Sequence, residues 1–260
     1  MPFVRARGVR FHVVDLGRET GVGRETDLGR ETGLGTGAGQ GRGAAAEPLV
    51  MLHGLFTGSA ASWFFSVAPE LARTRPVRLP DWRGHGMSER TATGYDTATM
   101  TADLAELTAG LPPFAIAGHS YGAVVAVRFA RSHPGRVTRM ALIDPPFGGE
   151  FLHRGEPAVA TPIAATPAGD ALCGQTSVLA DLAAERAVTG AELAALGDLP
   201  VLAVVGADSP YRPAGDLVGG ALPASRRHVL PGGHDLHITA RARLAPLLES
   251  FLTGTEETHA

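Results

Sequence analysis

Short apolar runs alternate with longer amphipathic stretches over most of this chain. These runs are mostly apolar, have the length of strands and lie at 49–52, 77–80, 113–117, 137–143, 201–205 and 228–230. The stretches between and after them predict helices at about 59–72, 97–109, 123–131, 176–196 and 238–252. Apolar strands that alternate with helices are typical of parallel sheets covered on both faces. We therefore predict an α/β fold with a mostly parallel, doubly wound sheet.

The N-terminal part carries a different pattern. Residues 3–15 alternate loosely between apolar and polar side chains, which predicts a β-hairpin that turns near Gly8. Copies of Gly-Arg-Glu-Thr follow at a period of six residues and run into a glycine-rich stretch that ends at Gly43. Such a polar segment buries too little apolar surface to offset its ordering entropy. We expect residues 17–46 to form a flexible insertion in a single domain that covers 1–260.

A second long segment lies between the strand that ends near Asp144 and the strand that begins at Val201. It is rich in proline at first and then carries helical patterning. Segments that follow strands of a parallel sheet emerge at its carboxyl edge, where ligands bind. We predict that residues 146–198 form a small helical lid before the penultimate strand, and the alternative is a plain surface excursion.

The most informative motif is Gly-His-Ser-Tyr-Gly at 118–122, between a predicted strand and a predicted helix. A serine in this strand–turn–helix context, with glycine two residues away on both sides, is typical of a nucleophile elbow. The turn is so sharp that larger side chains at the glycine positions would collide with neighbouring backbone. Ser120 is therefore a candidate nucleophile, and the alternative is a serine that only caps the helix.

A serine nucleophile needs a base, and the base needs a third group that fixes its tautomer. His234 lies in Pro-Gly-Gly-His-Asp at 231–235, directly after the last predicted strand. Asp208 follows the strand at 201–205. Because the carboxyl ends of parallel strands share one edge of the sheet, both side chains can reach Ser120. The predicted triad is Ser120, Asp208 and His234.

Four motifs in this order resemble those of serine hydrolases of the α/β-hydrolase superfamily. They are His-Gly-Leu-Phe at 53–56, Asp-Trp-Arg-Gly-His-Gly-Met-Ser at 81–88, the elbow at 118–122 and Gly-His at 233–234. The resemblance extends from Pro48 to Leu252 and implies the α/β-hydrolase fold. It also implies an oxyanion hole formed by the backbone amides of Leu55 and Tyr121.

The same resemblance implies roles for polar residues outside the triad. His53, His85 and His119 are expected to shape loops rather than to transfer protons, and Asp81 is expected to brace the loop of the second motif. His237 is assigned to the start of the last helix. Histidines and carboxylates are not expected to cluster at metal-ligand spacing, so no metal is required.

The acid is where the chain departs from the family pattern. The usual form is Gly-x-x-Asp followed by proline, whereas Asp208 comes two residues after Gly206 and Ser209 precedes Pro210. Strict register would place Ser209 at the acid position. Asp144, at the end of the preceding strand, is the alternative acid. We predict Asp208 because a loop can absorb a shift of one residue.

Composition and charge argue against several other classes. The formal net charge is −3 and no basic stripe is present, so no nucleic-acid partner is expected. Cys173 is the only cysteine, which excludes an internal disulfide and a cysteine-built metal site. No apolar run has the length of a membrane span, and the N-terminus lacks a signal-peptide pattern. We expect a cytoplasmic protein with no cofactor, no metal and no membrane partner. The sequence does not determine the oligomeric state.

The predicted triad and the resemblance favour a serine hydrolase that cleaves a carboxylic ester or related small acyl substrate through an acyl-enzyme. Related families that open epoxides or remove halogens depend on aspartate at the nucleophile position, so Ser120 argues against those reactions. The alternatives are a cyclase or cofactor-independent oxygenase of the same fold, a thioesterase of secondary metabolism, and a receptor-like member that binds its ligand without turnover.

Overall fold

The computed structural model describes residues 3–17, 46–56, 58–148 and 167–255. Its strands are β1 Phe3–Ala6, β2 Val9–Leu16, β3 Leu49–Leu52, β4 Val77–Pro80, β5 Phe114–His119, β6 Val137–Ile143, β7 Val201–Gly206 and β8 Arg226–Leu230. Its helices are α1 Ala60–Phe64, α2 Ala68–Leu71, α3 Thr97–Leu107, α4 Tyr121–Ser132, α5 Pro167–Gln175, α6 Val178–Ala184, α7 Gly190–Ala194, α8 Pro213–Ala221, α9 Leu236–Thr239 and α10 Arg241–Thr253. Nearly all of the predicted insertion, and residues 149–166 of the predicted lid, lie outside the described residues.

The strands form one eight-stranded sheet in the order β1-β2-β4-β3-β5-β6-β7-β8. The pairs β1–β2 and β2–β4 are antiparallel, and every pair from β4 to β8 is parallel. The predicted N-terminal hairpin and the mostly parallel sheet are therefore confirmed. The carboxyl ends of β3, β5, β6, β7 and β8 meet at one edge, where the loops carrying the predicted site residues begin.

The apolar strands are buried on both faces because side chains alternate along a strand with a period of two. In β3, Val50 and Leu52 join the core on one side of the sheet, whereas Leu49 and Met51 join the core on the other. Helices α3, α4 and α8 contribute to the first core, and α1, α2, α9 and α10 contribute to the second. The sheet is thus covered by helices on both sides, as predicted for an α/β fold.

Three predicted helices are interrupted. The helix expected at 176–196 is divided into α6 and α7, with residues 185–189 between them. The helix expected at 59–72 is divided into α1 and α2, and Pro69 lies in the first turn of α2, where proline starts a helix rather than continuing one. The helix expected at 238–252 is divided into α9 and α10 at Ala240, whose backbone is not helical.

Among the described residues, no helix combines the length and apolar character needed to cross a bilayer.

Helices α5, α6 and α7 occupy the described part of the predicted lid, so the helical material expected there is present. Leu182 of α6 is buried in the same core as α3 and α4. Polar contacts hold α6 to the body: Arg128 of α4 contacts the Glu185 carboxylate, and the Tyr95 N–H donates to Asp181 at 2.9 Å. The role of this segment as a lid stays a prediction.

Candidate active site

Ser120 lies in a strained turn between β5 and α4. Its backbone has φ 54° and ψ −125°, a region in which a non-glycine residue costs roughly 1–3 kcal/mol. The Ser120 N–H donates to the Ile143 carbonyl at 3.0 Å, which ties the turn to the end of β6. A Cβ at Gly122 would lie 2.6 Å from the Leu52 carbonyl oxygen, and a Cβ at Gly118 would lie 2.6 Å from the Ala123 Cα. Both glycines of the elbow motif are therefore required by close backbone approach, as predicted.

The His234 imidazole is paired with the carboxylate of Asp144. Nδ1 of His234 lies 2.6 Å from Oδ2 of Asp144, and the Asp144 side chain is fully buried. The Gly206 N–H donates to Oδ1 of the same carboxylate at 2.9 Å, and the Ser209 hydroxyl donates to Oδ2. Because Nδ1–H of His234 donates to the carboxylate, Nε2 is the ring nitrogen that can accept a proton.

Asp208 does not take part in this pairing, so the prediction that it orients His234 is wrong. Its N–H donates to the Gly232 carbonyl at 3.0 Å, which anchors the loop that carries the histidine, but its side chain is exposed. The reason is register: Ser209 occupies the position where the family pattern has the acid, and it binds the Asp144 carboxylate instead of supplying one. Asp144, the alternative acid, is the residue that the fold brings to the imidazole.

The predicted oxyanion residues flank Ser120 on two sides. Tyr121 is the first residue of α4 and directly follows the serine. A Cβ at Gly54 would lie 3.0 Å from the Ser120 Cβ, so the backbone that leads into Leu55 passes directly beside the nucleophile. The fold therefore brings Leu55 and Tyr121 to the serine, while the use of their amides for an oxyanion stays a prediction.

Two buried histidines hold the loops behind the site. The Trp82 N–H donates to Nε2 of His53 at 3.0 Å, and the Phe56 N–H donates to Nε2 of His85 at 2.9 Å. Burial lowers the pKa of His53 to about 4 and the pKa of His85 to about 3. Both rings are therefore neutral at pH 7, which suits the acceptor role of each Nε2. These contacts agree with the loop-shaping role expected for both residues.

Asp81 connects the N-terminal hairpin to the same loops. Its carboxylate accepts from the Ala60 N–H at 2.6 Å and from the Met87 N–H at 3.0 Å, and it contacts Nδ1 of His12 at 2.7 Å. The expectation that Asp81 braces the loop of the second motif is therefore confirmed. The contact with His12 links β2 to this loop, which the motif alone did not indicate.

A group of side chains that the sequence reasoning did not connect lies next to His234. Nε2 of His119 is 3.0 Å from the His234 carbonyl oxygen and 3.9 Å from Oδ1 of Asp235. The ring of His237 lies 4.2 Å from the ring of His119 and 4.7 Å from that of Trp63, measured between centroids. The expectation that histidines and carboxylates do not cluster is wrong here, because β5 and α9 bring together residues far apart in the chain.

Burial governs the protonation of these two histidines. It lowers the pKa of His237 to about 3, with a smaller contribution from nearby His234. Burial also lowers the pKa of His119 well below its usual value, and the neighbouring His237 acts in the same direction. Both rings are therefore neutral at pH 7. Nδ1 of His237 is buried and has no hydrogen-bond partner among the described residues.

Tyr211 is a further residue that the sequence reasoning missed. Its ring meets that of His234 edge-on, with the centroids 4.9 Å apart, and its N–H donates to the Ser209 hydroxyl at 3.1 Å. Burial and the nearby Asp144 raise the pKa of the Tyr211 phenol to about 12, so the phenol is uncharged at pH 7. One indication of this role was present in the sequence: Tyr211 is three residues beyond Asp208, in the loop after β7, which lies at the edge of the sheet that carries the site.

Comparison with known proteins agrees with this fold. The family described as alpha/beta hydrolase fold matches residues 47–165. The crystal structure of Cfl2 from Burkholderia cenocepacia is similar at a TM-score of 0.70 and 25% identity, covering 96% of this chain and 94% of that one. The chain belongs to the α/β-hydrolase superfamily.

Curated members of the superfamily resemble a shorter part of this α/β-hydrolase. A soluble epoxide hydrolase of Corynebacterium sp. strain C12 is 39% identical over 101 residues, which are 37% of this chain and 34% of that protein. An sn-1-specific diacylglycerol lipase of Danio rerio is 40% identical over 104 residues, which are 38% of this chain and 32% of that protein. The α/β-hydrolase described here therefore matches about a third of the length of these relatives.

Proposed function

We propose that this α/β-hydrolase is a serine hydrolase that cleaves a small acyl substrate, with carboxylic esters as the leading class. Ser120 is the nucleophile, His234 is the general base and Asp144 orients the imidazole. The observation that supports this most strongly is the 2.6 Å contact between Asp144 and His234, on loops that meet beside the strained Ser120 turn. A nucleophile, a base and a group that fixes the base are the three parts that acyl transfer requires.

The proposed reaction follows from the placement of these groups. Ser120 Oγ attacks the substrate carbonyl while Nε2 of His234 accepts its proton, and buried Asp144 stabilises the imidazolium that forms. The amides of Leu55 and Tyr121 donate to the oxygen of the tetrahedral intermediate, and removing one such donor typically costs about 3 kcal/mol of transition-state stabilisation. His234 then protonates the leaving alcohol. A water activated by the same imidazole releases the acid and restores the enzyme.

The residue at the elbow supports acyl transfer over other reactions of the superfamily. A serine forms an ester with the acyl group, which water can hydrolyse by the same route in reverse. The similarity to a diacylglycerol lipase is in keeping with an ester substrate. The similarity to an epoxide hydrolase carries less weight, because epoxide opening in related families depends on aspartate where this chain has Ser120. Helices α5–α7 are proposed to cover the acyl group as a lid.

Labelling with a fluorophosphonate probe tests this proposal. The wild-type chain is expected to form one adduct on Ser120 and to hydrolyse p-nitrophenyl esters, whereas Ser120→Ala loses both. Ser132→Ala, which removes an exposed hydroxyl at the other end of α4, is the matched control and keeps both. Labelling that survives Ser120→Ala refutes the nucleophile. Substrate conversion that survives it indicates a cyclase or oxygenase, and ligand-induced thermal stabilisation without turnover indicates a receptor-like member.

A further inference from the structure

We propose that His119, Asp235 and His237, together with the backbone carbonyl of His234, form a binding site for one divalent transition-metal ion such as Zn²⁺. The three side chains each offer a ligand atom, and these atoms all lie within 4.8 Å of one another. The ligand atoms are not those assigned to acyl transfer, although His119 directly precedes Ser120 and the His234 carbonyl belongs to the proposed base. The existence of the site does not depend on the proposed hydrolysis.

The donor atoms lie near one another, and small side-chain movements would bring them to the spacing of one shared ion. Two ligands at about 2.1 Å from a metal, at angles of about 90–110°, lie about 3.0–3.4 Å apart. Nε2–H of His119 donates to the His234 carbonyl oxygen at 3.0 Å, so ligation through Nε2 requires the other tautomer, with the ring proton on Nδ1. Nε2 of His119 and Oδ1 of Asp235 are 3.9 Å apart, and the Asp235 side chain is 55% exposed and can rotate to close the difference.

The donor set has the chemistry that transition metals select. Two imidazole nitrogens with carboxylate and carbonyl oxygens suit Zn²⁺, Ni²⁺ and Cu²⁺, whereas Mg²⁺ and Ca²⁺ prefer oxygen alone. The exposed face of Asp235 provides the entry path for the ion.

The unpaired nitrogen of His237 is an independent indication of a ligand. The side chain is only 2% exposed, and Nδ1 has no partner among the described residues. Leaving a buried polar atom unsatisfied costs on the order of 1–3 kcal/mol. The rings of Trp63 and His119 pack against the His237 ring and fix its orientation. A buried, oriented imidazole with a spare nitrogen, beside a second imidazole and a carboxylate, offers a transition metal nitrogen and oxygen ligands.

Calorimetric titration of the untagged, chelator-treated full chain with ZnCl₂ tests the proposal. We expect one ion to bind per chain, and Co²⁺ to give an absorption spectrum typical of mixed nitrogen and oxygen ligands. Asp235→Ala, at an exposed position, is expected to raise the Kd for Zn²⁺ by roughly 10–100-fold without changing the metal-free melting temperature. His237→Gln is expected to raise the Kd at least as much.

His228→Gln on β8 is the matched control, because it removes a histidine outside the group, and it is expected to leave the Kd unchanged. Three results overturn the proposal: no stoichiometric binding of Zn²⁺, a Kd that neither Asp235→Ala nor His237→Gln changes, or a Kd that His228→Gln weakens as much as they do. Because Asp235→Ala alters an exposed side chain, its Kd remains informative even where His237→Gln impairs folding.

Discussion

The carboxylate of Asp144 lies 2.6 Å from Nδ1 of His234, although 90 residues separate the two in the chain. The contact joins the loop after β6 to the loop after β8, across the end of β7. Gly206 and Ser209, from the β7 end and its loop, bind the same carboxylate rather than supplying one. The carboxylate that pairs with His234 therefore follows β6 rather than β7, and groups from the end of β7 and its loop donate hydrogen bonds to it.

Replacing Asp144 is therefore predicted to disable the proposed hydrolase, and replacing Asp208 is not. Asp144→Asn keeps the shape of the side chain but no longer holds His234 in the tautomer with Nε2 free, so kcat for ester hydrolysis is expected to fall about 10³–10⁴-fold. Asp208→Asn alters an exposed side chain and is expected to leave kcat within about twofold of wild type. Steady-state kinetics of both folded variants measure the difference. Equal losses in the two would contradict the assignment of Asp144.

The hydroxyl of Ser209 is predicted to act as a positioning group for Asp144. Hydrogen bonds to charged groups contribute about 1.5–3 kcal/mol, so Ser209→Ala is expected to lower kcat/KM by roughly 10–100-fold. Ser209→Thr keeps the hydroxyl and is expected to restore most of the activity. Ser132→Ala again serves as the control. A Ser209→Ala variant with a lower melting temperature and wild-type kcat/KM would show that the hydroxyl only stabilises the turn.

Acid is predicted to destabilise this protein through its buried histidines. Burial lowers the pKa of His53 to about 4 and that of His85 to about 3. In the unfolded chain both histidines have the ordinary pKa of about 6.5. The unfolded state therefore binds more protons below pH 6.5, and the free energy of unfolding is expected to fall as the pH decreases from 6.5 towards 4. Above pH 6.5 these two residues make no contribution to the pH dependence.

Urea unfolding at pH 7.5, 6.0 and 5.0 measures this dependence. His85→Gln removes one titrating ring but keeps an acceptor for the Phe56 N–H, so its free energy of unfolding is expected to fall less steeply with acid than that of wild type. Ser132→Ala, which removes an exposed hydroxyl and no ionisable group, is the control and is expected to retain the wild-type slope. A His85→Gln slope equal to that of wild type would show that this ring does not govern the acid response.

Much of the fold could be predicted because it depends on local patterns. Strand β6 begins and ends where it was predicted, at 137–143, because its fully buried positions, Val137 and residues 140–143, are apolar. The Ser120 turn could be predicted because the close backbone approach around it requires glycine at positions 118 and 122, and the whole motif spans only five residues. The division between α1 and α2 was missed although Pro69 was visible, because the apolar pattern continues across the break.

The carboxylate that pairs with His234, and the contact between His119 and His237, could not be predicted from local patterns. The sequence by itself determined the class of sheet, the serine at its elbow and the histidine after its last strand, because each depends on neighbouring residues or on strand order. Only the tertiary structure decided between Asp144 and Asp208, since both follow parallel strands and the choice depends on which carboxylate is turned inward. The same holds for His119 and His237, which meet because β5 and α9 converge at one edge of the sheet.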